Sequence, residues 1–269
     1  MSETDRVFTG EIPVFYDRYM APLIFADYAE DLAQRAAALH PARVLETAAG
    51  TGIVTRALAR ILGPEAEITA TDLNQAMLDF AAAQPGMERV SWRQADAQRL
   101  TFDNGTFDAV LCQFGVMFFP DRVAGYREAR RVLRPGGQFL FSVWDRLAEN
   151  EFSQVVANAV AALFPEDPPQ FLTRTPYVYH DADVIERELS AAGFTRIAIE
   201  TVARRSRAAS PREPALGLCC GSPLRAEIEA RAADRLEAAI DAATAAIAAR
   251  YGTGAVDGKI QAHIVTASA

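Results

Sequence analysis

The hydrophobic positions change their period along the chain, and this change separates a helical start from an alternating middle. Five apolar side chains in the first forty residues stand near helical spacing: Tyr16, Tyr19, Leu23, Tyr28 and Leu32. This spacing predicts helix, with a break at Pro22. From residue 42 onward, short apolar runs alternate with helical patterns. We expect strands over 42–47, 67–72, 90–96, 106–114 and 138–144, and helices over 50–62, 74–84 and 122–133.

The alternation weakens after Asp145, where a Pro-rich, aromatic stretch runs to about residue 185. Beyond it the pattern predicts a helix over 184–194 and a strand over 195–203. A single long Ala-rich helix is expected over 224–251, with Ser222 as its N-cap. A last strand is expected over 259–267.

Seven predicted strands that alternate with helices through short connections are typical of an α/β fold. We expect a Rossmann-like, doubly wound and mostly parallel seven-stranded sheet with helical cap insertions. The expected divisions are an N-terminal helical cap (1–40), a cofactor-binding core (41–145), an insertion or cap (146–185), a core helix and strand (186–203), a helical insertion (204–257) and a last core strand (258–269).

The composition is that of an ordinary globular protein, with 269 residues, half of them apolar and 23% charged. The formal net charge of −8 argues against a nucleic acid or an anionic membrane as the main partner. A cationic or neutral small molecule is easier to accommodate. Because Lys259 is the single lysine, the chain contains no Gly-Lys-Ser/Thr phosphate loop.

Cysteine usage and hydropathy indicate a protein of the reducing cytoplasm. The three cysteines are an odd number without Cys-x-x-Cys spacing, and His and Cys form no cluster with zinc spacing, so we expect no bound metal. The apolar runs are too short for a membrane span, and the first residues show no secretory signal pattern. The oligomeric state stays open.

Three carboxylates stand where predicted strands end. Glu46 ends the first strand, and the chain then turns through Gly50 and Gly52 into a helix; glycine allows a tight turn and a close approach of a ligand. Asp72 ends the second strand, where a carboxylate can accept hydrogen bonds from both ribose hydroxyls. Asp96 ends the third, and with the amide of the next residue it could read an adenine edge.

Each of these features also has a plainer explanation, such as a turn, a helix N-cap or a loop acid. Two other functions fit part of the pattern. A nicotinamide-dependent oxidoreductase would share the glycine turn and Asp72, but it would not explain Asp96 and Ala97, and a Tyr-x-x-x-Lys pair is missing. A non-catalytic protein that binds the same cofactor would keep the loop but close its acceptor pocket.

Four stretches together resemble the class I S-adenosylmethionine-dependent methyltransferases, in the small-molecule branch that includes the ubiquinone/menaquinone C-methyltransferases. They are VLETAAGTG, ATDLNQAML, RQADAQRLTFDNGTFDAVLCQFGVMFFPD and REARRVLRPGGQFLFSVW, and they cover residues 43–145. The family has a glycine where this chain has Ala48. We expect the extra methyl group to be tolerated if Ala48 adopts a negative φ.

The resemblance implies that S-adenosylmethionine is the cofactor and that specific positions bind it. Glu46 would lie near the methionine ammonium, Asp72 at the ribose, and Asp96 at the adenine amino group. The remaining implied contacts come from the N-terminal helix, the glycine turn, the adenine flanks and the end of the fourth strand: Tyr16, Tyr19, Ala48, Gly50, Thr51, Gly52, Leu73, Met77, Ala97, Gln113 and Phe114.

Methyl transfer from a sulfonium is an in-line displacement, so alignment and exclusion of water can supply much of the acceleration. We expect a small, partly apolar acceptor, and the accepting atom stays open. His180 lies in the aromatic insertion, where this fold places substrate-facing segments. It is the candidate for a catalytic role in substrate binding or proton transfer, with a purely structural role as the alternative.

Overall fold

The computed structural model describes residue 5, residue 10 and residues 12–269. Seven strands form one sheet in the order β3-β2-β1-β4-β5-β7-β6. Strands β1 to β5 are parallel, and β7 runs antiparallel to both of its neighbours. The strands are β1 (Arg43–Glu46), β2 (Glu67–Asp72), β3 (Val90–Gln94), β4 (Phe107–Gln113), β5 (Leu133–Trp144), β6 (Arg196–Ala208) and β7 (Val256–Ser268). The expected Rossmann-like, mostly parallel sheet is therefore confirmed.

Helices connect and flank these strands. In the described part of the chain, the regular helices are α1 (Ile12–Phe15), α2 (Ala26–Ala37), α3 (Ile53–Ile61), α4 (Gln75–Ala82), α5 (Arg122–Val132), α6 (Glu151–Leu163), α7 (Phe171–Arg174), α8 (Ala182–Ala191), α9 (Arg212–Cys220), α10 (Leu224–Arg231) and α11 (Leu236–Tyr251). A ten-residue π-helix, Tyr16–Phe25, joins α1 to α2. Two aspartates cap the N-termini of helices with their carboxylates. Asp121 accepts from Ala124 N at the start of α5, and Asp181 accepts from Asp183 N at the start of α8.

The central strands form because their sequences can be buried on both faces. In β4 the side chains from Phe107 to Cys112 are all buried, and five of these six are apolar, as expected for a strand inside a parallel sheet; the exception, Asp108, pairs with Arg134. The register brings the carboxyl ends of the strands to one edge: Asp72 pairs with Gln94, and Gln113 pairs with Ser142. The strand order reverses between β1 and β4, where open α/β sheets bind ligands.

The N-terminal helices continue through Pro22, so the predicted break at this residue is wrong. Pro22 lies inside the π-helix, a rare form that is frequently found at functional sites. Farther along, the buried Tyr28 on α2 donates its hydroxyl proton to the Val202 carbonyl of β6 at 2.8 Å. This bond ties the N-terminal helices to the sheet. The residues before 12, except 5 and 10, lie outside the described part; the expected absence of a leader and the start of the 1–40 cap fall there.

Two expectations for the C-terminal third need correction. The predicted helix over 224–251 is two helices, α10 and α11, because Ala232 is extended, with φ −158° and ψ 109°. Next to this break, Arg231 binds the carbonyl and carboxylate oxygens of Asp167. Helix α9 lies within the expected helical insertion 204–257, but the pattern does not predict it as a separate element. Pro223 rather than Ser222 stands at the N-cap of α10, although Ser222 Oγ, one residue earlier, accepts from Leu224 N at 3.3 Å.

Over the residues that the structure describes, no helix combines the length and the apolar character that crossing a bilayer requires.

Candidate active site

A cleft of about 740 Å³, including its open mouth, lies at the carboxyl edge of the parallel strands. Its walls come from the N-terminal π-helix and from the loops after β1, β2, β3 and β4. Ten of the predicted site residues line it: Tyr16, Ala48, Gly50, Asp72, Leu73, Met77, Asp96, Ala97, Gln113 and Phe114. The strand ends therefore bring together most of the residues that the sequence singled out.

The turn after β1 is left-handed at three positions. The φ angles are +52° at Ala48, +55° at Gly50 and +79° at Gly52. The condition stated for Ala48, a negative φ, is thus wrong: this alanine adopts a conformation that favours glycine. Its methyl group is accommodated because Gly115 has none; a Cβ on Gly115 would lie 2.5 Å from the Ala48 Cβ.

Asp72 is buried and holds the turn as well as facing the cleft. One carboxylate oxygen accepts from Gly50 N at 2.9 Å, and the other accepts from Asn74 N at 2.8 Å. Burial raises the pKa of Asp72, while these hydrogen bonds oppose the rise. Asn74 Nδ2 also donates to the second oxygen, at 3.3 Å. A carboxylate has about four lone-pair positions, so the oxygen that binds Gly50 N keeps capacity for a ligand's hydroxyl group.

Glu46 lies beneath the turn rather than among the residues that line the cleft. Its carboxylate accepts from Thr55 Oγ1 on α3 at 2.5 Å. Burial, the largest cause, raises the pKa of Glu46 to about 8, and the nearby charge of Asp72 adds to the rise. A cation bound nearby would favour the ionised form, so the two buried acids make this end of the cleft suited to positive charge.

The rim after β2 and β3 combines apolar surface with hydrogen-bonding groups. Leu73 is 43% exposed, which is unusual for a large apolar side chain and leaves a surface that a flat ligand would cover. Met77 faces the same cleft from α4. Asp96 is exposed just after β3, where its Oδ1 accepts from Gln98 N at 2.9 Å.

The end of the cleft after β4 is aromatic. Phe114 adopts a φ of +50° and stacks on Trp144, with 3.7 Å between ring centroids and 6° between ring planes. Gln113 reaches the cleft beside it. Among the described residues, Gln113 Oε1 is buried without a hydrogen-bond partner, so it is an acceptor that a ligand could satisfy.

The two tyrosines of the π-helix have different surroundings. Tyr16 lines the cleft and stacks on Phe25 at 4.9 Å. Burial strongly raises the pKa of Tyr16, and the charges of Asp72 and Glu46 contribute, so this phenol stays protonated. Tyr19 instead lines a separate groove with Arg207 and residues of α9. The structure therefore does not place Tyr19 in the cofactor cleft.

His180 is not among the residues that line the cleft. The neighbouring Tyr179 packs toward α5 and α8, where its hydroxyl meets Tyr126 at 3.0 Å and Glu188 at 2.7 Å. Other parts of the insertion do reach the cleft wall: Phe171 stacks on Phe118 and Tyr177 packs against Trp144. A role for His180 in acceptor binding stays a prediction without a contact that supports it.

Thr51 and Gly52 belong to the turn after β1 but are not among the residues that line the cleft. A Cβ on Gly52 would lie 3.1 Å from Ala81 and from Trp92, so glycine also permits close packing there. Sequence reasoning missed seven lining residues, which lie in the segments that follow β2, β3 and β4 in the structure: Asn74, Ala95, Gln98, Gly115, Phe118, Phe119 and Pro120. Their position after strand ends was the available signal.

The prediction of no metal stays untested. Within residues 5, 10 and 12–269, no group of three or more His, Cys, Asp and Glu side chains forms a metal-binding cluster.

The fold and cleft define a protein that binds a nucleoside-type cofactor at the carboxyl edge of its sheet. A family profile described as a methyltransferase domain matches residues 44–137. The chain is 31% identical over 174 residues to the ubiquinone/menaquinone biosynthesis C-methyltransferase UbiE of Idiomarina loihiensis, covering 58% of this chain and 67% of that protein. For UbiE of Pseudomonas aeruginosa the values are 29% over 168 residues, 58% and 66%.

The chain therefore belongs to the class I S-adenosylmethionine-dependent methyltransferases, with S-adenosylmethionine as its cofactor. It spans about two thirds of the length of these relatives.

Solved structures agree with the fold. The YcgJ protein of Bacillus subtilis superposes with a TM-score of 0.56 at 18% identity, over 90% of this chain and 98% of that one. A methyltransferase of Aquifex aeolicus gives a TM-score of 0.52 at 17% identity, over 71% of this chain and 90% of that one.

The residues present fit the cofactor. Asp72 and Glu46 are buried acids next to a cleft that a sulfonium and an ammonium would enter. Leu73 leaves an uncovered apolar surface for an adenine, and the Gln113 Oε1 atom needs a donor.

Proposed function

We propose that the chain transfers a methyl group from S-adenosylmethionine to a small acceptor with an apolar, ring-shaped body. One observation carries this proposal. Beyond the carboxylates, the cleft continues along apolar side chains: Phe114, Phe118, Phe119 and Pro120. Such a surface would hold a flat apolar molecule with few polar contacts.

The proposal assigns the cofactor contacts by position. Asp72 would accept hydrogen bonds from the ribose hydroxyls, and Leu73 and Met77 would flank the adenine. Asp96 and the Ala97 amide would contact the adenine edge, as expected from their place on the rim.

The methionyl portion would lie on the left-handed turn. The backbone of Ala48 and Gly50 lines the cleft there, Glu46 lies beneath it, and Gln113 and Phe114 border its far end. Glu46 would neutralise part of the ammonium charge from below, directly or through water.

When bound, S-adenosylmethionine supplies a methyl group on a positively charged sulfur that an acceptor atom can displace in line. The chain's own task is then to align the acceptor and to exclude water. The stacked rings of Phe114 and Trp144 make a rigid apolar wall. Tyr16 stays protonated, so it can donate a hydrogen bond but does not serve as a base.

The relatives named above act in ubiquinone and menaquinone biosynthesis. Their names make an aromatic ring carbon of a quinone precursor the first acceptor to test. The aromatic end of the cleft supports this choice, because a ring can stack on Phe118 or Phe119.

The test uses methyl-labelled S-adenosylmethionine with the purified chain, a panel of hydroquinone-type rings and a metabolite extract. We expect label on an apolar ring compound, and inhibition by S-adenosylhomocysteine. Label on a strongly polar acceptor instead would refute the acceptor class. Binding of S-adenosylhomocysteine without transfer to any compound would refute catalysis.

A further inference from the structure

Arg56 on α3 connects the left-handed turn to the N-terminal π-helix. One guanidinium nitrogen donates to the Thr51 carbonyl at 2.6 Å, and the other donates to the Asp17 carboxylate at 2.8 Å. The side chains of Arg56 and Asp17 are 26% and 25% exposed, so the pair is half-buried. A single side chain thus joins two separate walls of the cleft.

The position of Asp17 links this contact to the cleft itself. Asp17 directly follows Tyr16, which lines the cleft, and both belong to the first turn of the π-helix. The Tyr16 ring is held on its other side by Phe25. An anchor on Asp17 therefore restricts where the Tyr16 side chain can lie.

We propose that Asp17, held by Arg56 on the Thr51 turn, is a positioning residue that keeps Tyr16 in the geometry that binds the cofactor. This inference rests on the proposed function, because it takes Tyr16 to contact the bound cofactor. Binding is stronger when the contacting groups are already ordered, since less freedom is lost on association. The planar guanidinium suits this role because its two nitrogens serve two acceptors at once, whereas a lysine offers a single ammonium.

A second, more exposed ion pair on the same helix provides a control. Arg60, one turn farther along α3, pairs with Glu30 on α2, at 63% and 41% exposure. This pair also joins an N-terminal helix to α3, but neither of its two residues lines the cleft. If any ion pair to α3 had the same effect, Glu30→Gln would behave like Asp17→Asn.

The test measures the dissociation constant of S-adenosylhomocysteine by calorimetry. We expect Tyr16→Ala to weaken binding about tenfold and Asp17→Asn about fivefold, the range that a half-buried ion pair supports. The double variant should bind no more weakly than Tyr16→Ala alone, because Asp17 acts through Tyr16. Arg56→Lys should resemble Asp17→Asn, and Glu30→Gln should stay within twofold of the unsubstituted chain.

Results other than these would overturn either the inference or the proposed function. Additive effects of Asp17→Asn and Tyr16→Ala would overturn the inference, as would unchanged affinity in Asp17→Asn or full recovery with lysine at position 56. A Tyr16→Ala variant that binds normally would overturn it too, since Tyr16 would then not contact the cofactor. Failure of the unsubstituted chain to bind S-adenosylhomocysteine would instead refute the proposed function. Thermal unfolding without ligand checks that every variant is folded.

Discussion

At the scale of single residues, the chemistry of the site resides in two buried carboxylates, Glu46 and Asp72. Many acids elsewhere in the described chain pair with arginine, as Asp108 does with Arg134 at 2.6 Å. Burial raises the pKa of both Glu46 and Asp72, and a cation bound nearby would favour their ionised forms. A cofactor with a sulfonium and an ammonium matches that arrangement.

Replacing Asp72 should weaken cofactor binding. Hydrogen bonds to a charged group contribute about 1.5–3 kcal/mol, so Asp72→Ala should raise the dissociation constant of S-adenosylhomocysteine at least ~10-fold. Asp72→Asn should lose less, because one oxygen can still accept from Gly50 N. Calorimetry measures both, with the exposed Asp103→Ala as control. Equal affinities for all three variants would show that the ribose contact is misplaced.

Glu46 should make stability depend on pH. Its pKa is about 8 in the folded chain and 4.5 when unperturbed, so the folded chain holds an extra proton between these values. The proton that Glu46 holds in the folded chain contributes its full stabilisation below pH 4.5. This contribution to the free energy of unfolding falls as the pH rises, by up to ~1.4 kcal/mol per pH unit, and is lost as the pH passes 8. The Glu46→Gln variant should lack this loss.

Urea unfolding of both proteins between pH 5 and pH 9 measures the difference. The free energy of unfolding of Glu46→Gln should increase relative to the unsubstituted chain across this range. Parallel pH profiles would mean that Glu46 is ionised in the free protein.

Ala48 and Gly115 lie so close together that a side chain at position 115 should destabilise the fold. Gly115→Ala should cost about 1–3 kcal/mol of stability, because the new methyl group would meet the Ala48 Cβ at 2.5 Å and Cys112 Sγ at 2.7 Å. In an Ala48→Gly background the cost should be smaller. Gly63→Ala is the control, since no atom lies within 4 Å of its Cβ position. An equal cost in both backgrounds would show that Ala48 is not the obstacle.

At the scale of elements, the site depends on how the N-terminal helices are attached to the sheet. The π-helix forms one wall of the cleft, while α2, directly after it, is tied to β6 through Tyr28. Strand β6 extends to Ala208 because all of its residues pair with β7. The π-helix wall of the cleft is therefore attached, through α2, to the β6 and β7 strands of the sheet.

Tyr28→Phe tests this attachment. It removes a hydroxyl that is fully buried and leaves the Val202 carbonyl without its donor, which should cost about 1–2 kcal/mol in the free energy of unfolding. Urea denaturation with unchanged m-value is the measurement. A change below ~0.3 kcal/mol would indicate that water replaces the phenol.

At the scale of the whole molecule, the candidate site lies at one edge of the sheet, and the chain as a whole carries a net negative charge. The formal net charge of −8 and the acids at the strand ends both favour a cationic cofactor over an anionic polymer. The absence of a nucleic-acid partner and the six divisions proposed from the sequence stay predictions.

Methyl transfer should need no metal ion. We expect the labelled methyl group to reach the acceptor at the same rate with and without EDTA, because the proposed contacts to the cofactor involve carboxylates, amides and apolar side chains. Activity that EDTA abolishes and one divalent ion restores would contradict this and would indicate a metal-dependent O-methyltransferase.

The sequence by itself determined the core of the sheet and most of the residues that line the cleft. Short apolar runs could be assigned to strands because a parallel strand is buried on both faces. The acids Glu46, Asp72 and Asp96 could be assigned to one edge because parallel strands end on the same side of a sheet. Both inferences need only local pattern and chain order.

Only the tertiary structure decided which cavity each side chain lines and which distant residues contact each other. Tyr16 and Tyr19 lie three residues apart, yet they line different cavities because a π-helix has more residues per turn than an α-helix. Ala48 adopts a left-handed conformation because Gly115 leaves room for its methyl group. The Ala-rich helix divides where Arg231 reaches Asp167. Each outcome depends on contacts between residues that are distant in the chain, and local propensity cannot show them.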